Sequence, residues 1–134
     1  MTQSKSILFK VEYAGKLLSI AEGDLDTARA LIESANPGRK ENILYMIQQG
    51  VEKALKSVLI SKQIPFPLVH DLGILIALLP SDQYPPGGFE WTALNPFASI
   101  RRYEEGAIPI TLEEVEISYK AALLVIDWAK NKVC

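Results

Sequence analysis

Cysteine is almost missing: Cys134, at the last of 134 positions, is the only one. An internal disulfide and a cysteine metal cluster are therefore excluded. Histidine is equally scarce. His70 stands alone, which rules out two-histidine zinc motifs and a catalytic histidine pair within one chain. Positive charge is not in excess, since fourteen Lys and Arg against sixteen Asp and Glu leave a net charge of −2. That balance excludes a generally basic coat for nucleic acid but leaves room for a local patch. The longest apolar run, Leu72 to Leu79, falls far short of the roughly 18 residues of a membrane-spanning helix. The first residues, Met-Thr-Gln-Ser-Lys-Ser followed by Ile-Leu-Phe, lack a signal-peptide core and cleavage site. A reducing cytoplasm is the expected compartment. No repeat or low-complexity tract is visible.

What remains is globular usage, with 49% hydrophobic and 22% charged residues. A chain of this length is expected to form one domain over 1–134 and to bury about two-thirds of its unfolded surface. Apolar residues recur at three- and four-residue steps through Ala14, Leu17, Leu18, Ala21, Leu25, Ala28 and Ile32, which predicts a helix ended by Asn36-Pro37-Gly38. A second helix is expected from about Lys40 to Gln63, with Pro65 and Pro67 stopping it. A third, short and apolar, would run from about His70 to Leu79.

Tyr84-Pro-Pro-Gly-Gly88 is a loop by composition, and Asn95-Pro96 reads as a helix start leading through Phe97, Ile100, Arg101, Arg102 and Tyr103 to Gly106. The last helix opens with Thr111 and Glu114 in capping-box spacing and ends with Lys130 and Lys132, which suits the helix dipole. No alternating strand pattern stands out. The chain is expected to be all-α, an antiparallel up-and-down bundle of four main helices plus short ones. Because 121–129 is apolar on most sides, the last helix is expected to be either the central member or part of a subunit interface.

Three places carry chemistry. Tyr45, Gln49, Glu52 and Lys56, with Lys53 beside them, line one face of the second helix at steps of four, three and four. Such a stripe reads either as a solvated face with an ordinary Glu52–Lys56 pair or as a polar groove that orients a nucleotide or a partner's charge. His70-Asp71 opens the third helix, where the aspartate suits the dipole and the histidine can bond backbone or act in acid–base work. Arg101-Arg102-Tyr103 combines two planar forks with a ring that can stack on a base; the alternative is pairing with the bundle's own acids, such as Asp24 or Glu52. No phosphate-binding glycine loop, metal-ligand spacing or nucleophile elbow is present.

Taken together, Gly23-Asp24-Leu25, Gln49-Gly-Val-Glu52-Lys53-Ala-Leu-Lys56, His70-Asp71-Leu72 and Arg102-Tyr103 make the chain resemble the prokaryotic HEPN domain family over roughly residues 10 to 130. The resemblance implies a helical bundle that commonly dimerises and that accompanies a minimal nucleotidyltransferase, often as a toxin–antitoxin pair. It also implies nucleotide or RNA binding, with many members acting as metal-independent ribonucleases. The candidate site carried over is Asp24, Gln49, Glu52, Lys53, Lys56, His70, Asp71, Arg102 and Tyr103.

The ribonuclease members place a histidine after an arginine with four to six intervening residues. Here the windows after Arg101 and Arg102 hold Gly106, Ala107, Ile108 and Pro109 instead. Glu104 stands where a proline usually follows Arg-Tyr, and Val69 replaces a frequent threonine. The expectation is a module that binds nucleotide or RNA or docks to a nucleotidyltransferase, without cofactor or metal. The alternatives are an endoribonuclease toxin using His70, Arg102 and Tyr103, and a structural dimeric interaction protein.

Overall fold

The computed structural model describes residues 5–98 and 109–133. Arg101, Arg102, Tyr103 and Cys134, and the helix expected through Tyr103, lie outside the described residues beyond Ala98. Three long helices carry the architecture: α1 (Tyr13–Glu33), α2 (Lys40–Ser61) and α4 (Leu112–Val133). Between α2 and α4 come the short α3 (Leu72–Ala77) and a 3-10 helix (Gly88–Ala98). The all-α bundle expected from the periodicity is what forms.

Contacts fix the directions of the legs. α1 and α2 make a hairpin, and Lys130 of α4 reaches back to Glu22 of α1 at 3.2 Å. At the other end of that pair, Tyr119 of α4 bonds Arg29; Glu33 first, then this hydroxyl, hold the Arg29 guanidinium above its ordinary pKa. α4 therefore runs antiparallel to α1 and alongside α2, whose last residue, Ser61, donates to the Lys132 carbonyl at 3.3 Å. The return leg between α2 and α4 is broken in two, with α3 and the 3-10 helix both packed on α2.

α2 is the central member. Ile43, Leu44, Ile47, Val51, Ala54, Leu55, Val58, Leu59 and Ile60 are all buried, on more than one face. α4, offered above as a possible central helix, instead buries one side (Val115, Ala122, Val125, Ile126 and Ala129) and leaves Ile117, Leu123 and Leu124 exposed. Close approach of α1 and α2 rests on Gly50, where a Cβ would lie 2.8 Å from Leu25 Cδ2.

Helix ends show how local chemistry sets the legs. Gly38 takes φ 74° in the turn after α1. α2 stops before its prolines, with Gln63 in the left-handed region at φ 57° and the Ile64 N–H donating to Leu59 O at 2.9 Å, the closing bond of a Schellman-type exit. α3 begins two residues later than the sequence suggests because Asp71 is its N-cap, Oδ1 accepting from the N–H groups of Gly73 and Ile74. It also ends earlier, in turns from Leu78 N–H to Leu75 O and Leu79 N–H to Ile76 O.

Asn95 does not start a helix, for it sits inside the 3-10 helix already begun at Gly88. Its side chain caps α3 instead, Oδ1 accepting from Leu72 N–H at 2.9 Å and Nδ2 donating to Asp71 Oδ1 at 3.1 Å. Thr111 behaves as expected, its Oγ1 accepting from Glu114 N–H at 3.1 Å. A feature without signal in the sequence is a two-residue antiparallel pairing, β1 (Ser6–Ile7) with β2 (Phe66–Pro67), in the register Ser6↔Pro67 and Ile7↔Phe66. Too short to show alternation, it lays the N-terminal segment along the exit of α2.

Candidate functional site

Glu52 sits one turn past Gln48 on α2, and its side chain is only 4% exposed. A buried carboxylate is costly unless its oxygens are satisfied. Here they are. Oε2 accepts from Lys56 Nζ at 2.8 Å, while Oε1 accepts from Gln48 Nε2 at 3.1 Å and faces His70 Nδ1 at 2.9 Å. Gln48 is itself fully buried; its Nε2 also donates to the His70 carbonyl at 3.0 Å, and its Oε1 accepts from Gln49 Nε2 at 2.7 Å. Lys53, on the neighbouring face, pairs with Asp24 of α1 at 2.5 Å.

Asp24, Gln49, Glu52, Lys53, Lys56 and His70 thus lie in one region between α1, α2 and the start of α3. Asp71 is placed beside them but is occupied as a cap, with His70, Asn95 and Ala98 lining a shallow depression around it. Tyr45 is half-buried earlier on α2. The stripe is not fully solvated: Glu52 is buried, and Tyr45, Gln49, Lys53 and Lys56 are half-buried, with the Glu52–Lys56 pair formed. Asp24 and Glu52 accept from Lys53 and Lys56; the alternative pairing of these acids with Arg101 or Arg102 concerns arginines outside the described residues.

The geometry dictates a tautomer. With Glu52 ionised, Nδ1 carries the proton it gives to the carboxylate, so neutral His70 presents a lone pair at Nε2. The imidazole is 67% exposed, so a buried acid orients a ring that stays open to solvent. The lysines are balanced one to one by acids, which leaves the cluster almost neutral. Among the described residues no three His, Cys, Asp or Glu side chains gather to hold a metal ion. Among the same residues no helix is long and apolar enough to cross a membrane.

Comparison with known families matches the HEPN domain model over residues 14–132. The chain belongs to the HEPN family. No curated protein and no solved structure matches it. The match spans α1 to α4 and every candidate residue, Arg102 and Tyr103 included.

Sequence reasoning missed Gln48, which this HEPN chain uses as the hinge between Glu52 and the α3 entry. A signal existed: Gln48 falls among Leu44, Ile47, Val51 and Leu55, a polar amide on an apolar stripe. Asn95 gave no comparable sign, because its partner lies 23 residues away. Also missed was a cleft of ≈ 180 Å³ beside Glu52, walled by Phe9, Tyr13 and Phe66 and edged by Lys53 and Lys56.

Proposed function

We propose that this single HEPN domain is a nucleotide- or RNA-binding module at the Glu52–His70 cluster. It works in the cytoplasm as a homodimer beside a nucleotidyltransferase partner, as one component of a toxin–antitoxin-like pair. The observation that carries the binding reading is the pairing of buried Glu52 with exposed His70 at 2.9 Å. An imidazole locked at Nδ1 presents Nε2 in one direction, where it accepts from a ribose hydroxyl or, protonated, donates to a phosphate oxygen. Asp24 and Glu52 neutralise the adjacent lysines; Arg101, Arg102 and Tyr103 are the sequence candidates for holding a phosphate and stacking on a base. The exposed Ile117, Leu123 and Leu124 on α4 support the dimer. As a purely structural surface, they would serve the interaction-protein alternative.

A second reading, a metal-independent endoribonuclease, draws on the same pair, because an oriented histidine is a competent general base. One histidine must then serve two proton transfers, or a second copy must supply the other, and the arginine–histidine spacing of the active members is absent. Binding without cleavage is the better account.

Short single-stranded RNA, titrated with a metal chelator present and followed by anisotropy and gel, separates the readings. The wild type is expected to bind without cutting, and His70→Ala to bind about ten-fold more weakly, the loss of one charge-assisted bond. Cutting by the wild type that His70→Ala abolishes would install the nuclease reading. Absence of binding would overturn both. Sedimentation as a monomer at tens of micromolar, where an association of about 8 kcal/mol is saturated, would remove the dimer.

A further inference from the structure

The family match begins at residue 14, yet the cleft beside Glu52 is walled by residues that precede it. Phe9 stacks on Phe66 with ring centroids 5.4 Å apart and planes 20° apart, and on Tyr13 at 5.7 Å and 22°. The β1–β2 pairing holds this three-ring ladder in place by tying Ile7 to Phe66. Phe66 is the buried end, Phe9 is half-buried, and Tyr13 is exposed. Lys53, Lys56 and the buried carboxylate of Glu52 share the lining, with Lys56 Nζ over the Phe66 ring at 5.9 Å from its centroid.

Two properties define what fits. Tyr13, the exposed end of the ladder, keeps ring surface on the cleft for a flat π-system. The lysines offer hydrogen-bond donors: each ammonium has three N–H groups, and the bonds to Glu52 and Asp24 take one from each. The complementary ligand is flat and carries acceptors on its edge, which describes a nucleobase. At ≈ 180 Å³ the cleft is smaller than the roughly 300–1,000 Å³ of sites that enclose a whole drug-sized ligand, so one base enters while its ribose and phosphate stay at the rim. Glu52 both lines the cleft and bonds His70, so the cleft adjoins the polar cluster.

We infer that the cleft between the N-terminal segment and α2 is a stacking subsite for one unpaired nucleobase. It rests on the nucleotide- or RNA-binding reading and adds the part of the ligand that the polar cluster does not read. Residues 5–13 thereby give this HEPN domain a preference for base-bearing ligands over bare phosphate or ribose.

The test compares two fluorescein-labelled probes of equal length and charge, a single-stranded tetraribonucleotide and its abasic ribose-phosphate counterpart. The wild type is expected to bind the base-bearing probe at least about ten-fold more tightly, the scale of one base–aromatic stack. Tyr13→Ala and Phe9→Leu should erase that preference while leaving abasic affinity unchanged. His70→Ala should weaken both probes alike and keep the preference. Circular dichroism checks folding, and if Phe9→Leu does not fold, the exposed Tyr13→Ala decides alone. Equal wild-type affinity for both probes, or a preference that survives Tyr13→Ala and Phe9→Leu, overturns the subsite but spares the binding reading. If neither probe binds, the functional reading falls and the subsite with it.

Discussion

Glu52–Lys56 and Arg29–Glu33 are the same device in sequence, an acid and a base four residues apart on a long helix. Their surroundings make them different objects. Arg29 and Glu33 are 61% and 67% exposed at 3.4 Å, so water screens the attraction and two long side chains remain free to part. Lys56 and Glu52 are 13% and 4% exposed at 2.8 Å, with Gln48 and His70 completing the carboxylate's bonds. The first pair decorates a surface, while the second is a buried charge that depends on every partner. Lys53–Asp24, at 25% and 16% exposure, lies between them. Spacing decides whether two side chains can meet; burial decides what the meeting is worth.

That ordering can be broken by substitution. Lys56→Ala strands the Glu52 carboxylate and should cost about 3 kcal/mol, the scale of an uncompensated buried charge; urea unfolding measures it. A cost no larger than a surface substitution would show that water reaches Glu52. Asp24→Ala removes a half-buried partner and is expected to cost about 1 kcal/mol, read as a smaller shift of the same midpoint. Arg29→Ala should leave the midpoint where it is. Raising salt to about 1 M, where the screening length is about 3 Å, sharpens the contrast: the Lys56→Ala deficit should persist, because the charges it concerns are out of solvent. A Lys56→Ala effect that vanished in salt would place that pair with Arg29–Glu33.

The candidate site was legible in part for the same reason. Asp24, Gln49, Glu52, Lys53, Lys56 and His70 are noticed in the chain as charged or polar types at helical spacing. Yet Asp24 and Lys53 are 29 residues apart and His70 and Glu52 are 18 apart, so only folding could join them. Gln48 escaped because its role exists only where α2 meets the entry of α3. Asn95 misled because a residue suited to starting its own helix caps a different one instead. The ring ladder had no sequence signature, since Phe9 and Phe66 meet through a strand pairing two residues long.

By itself the sequence determined the helical class and the boundaries of α1 to α4 to within a few residues. It also determined the loop from Tyr84, which ends at Gly87, just before the 3-10 helix begins, and the absence of cysteine- or histidine-based metal motifs. These follow from periodicity and from φ preferences of proline and glycine, which act over a few neighbours. Tertiary structure alone decided that α2 rather than α4 is central, that Glu52 is buried while the rest of the polar stripe is half-buried, and that Lys56 answers Glu52 while Lys53 answers Asp24. Burial is a property of what packs on a face, and the packing partners come from distant parts of the chain. The pattern of the helix shows which residues share a side. Only the neighbouring helices determine whether that side meets water, and with it the strength of every charge upon it.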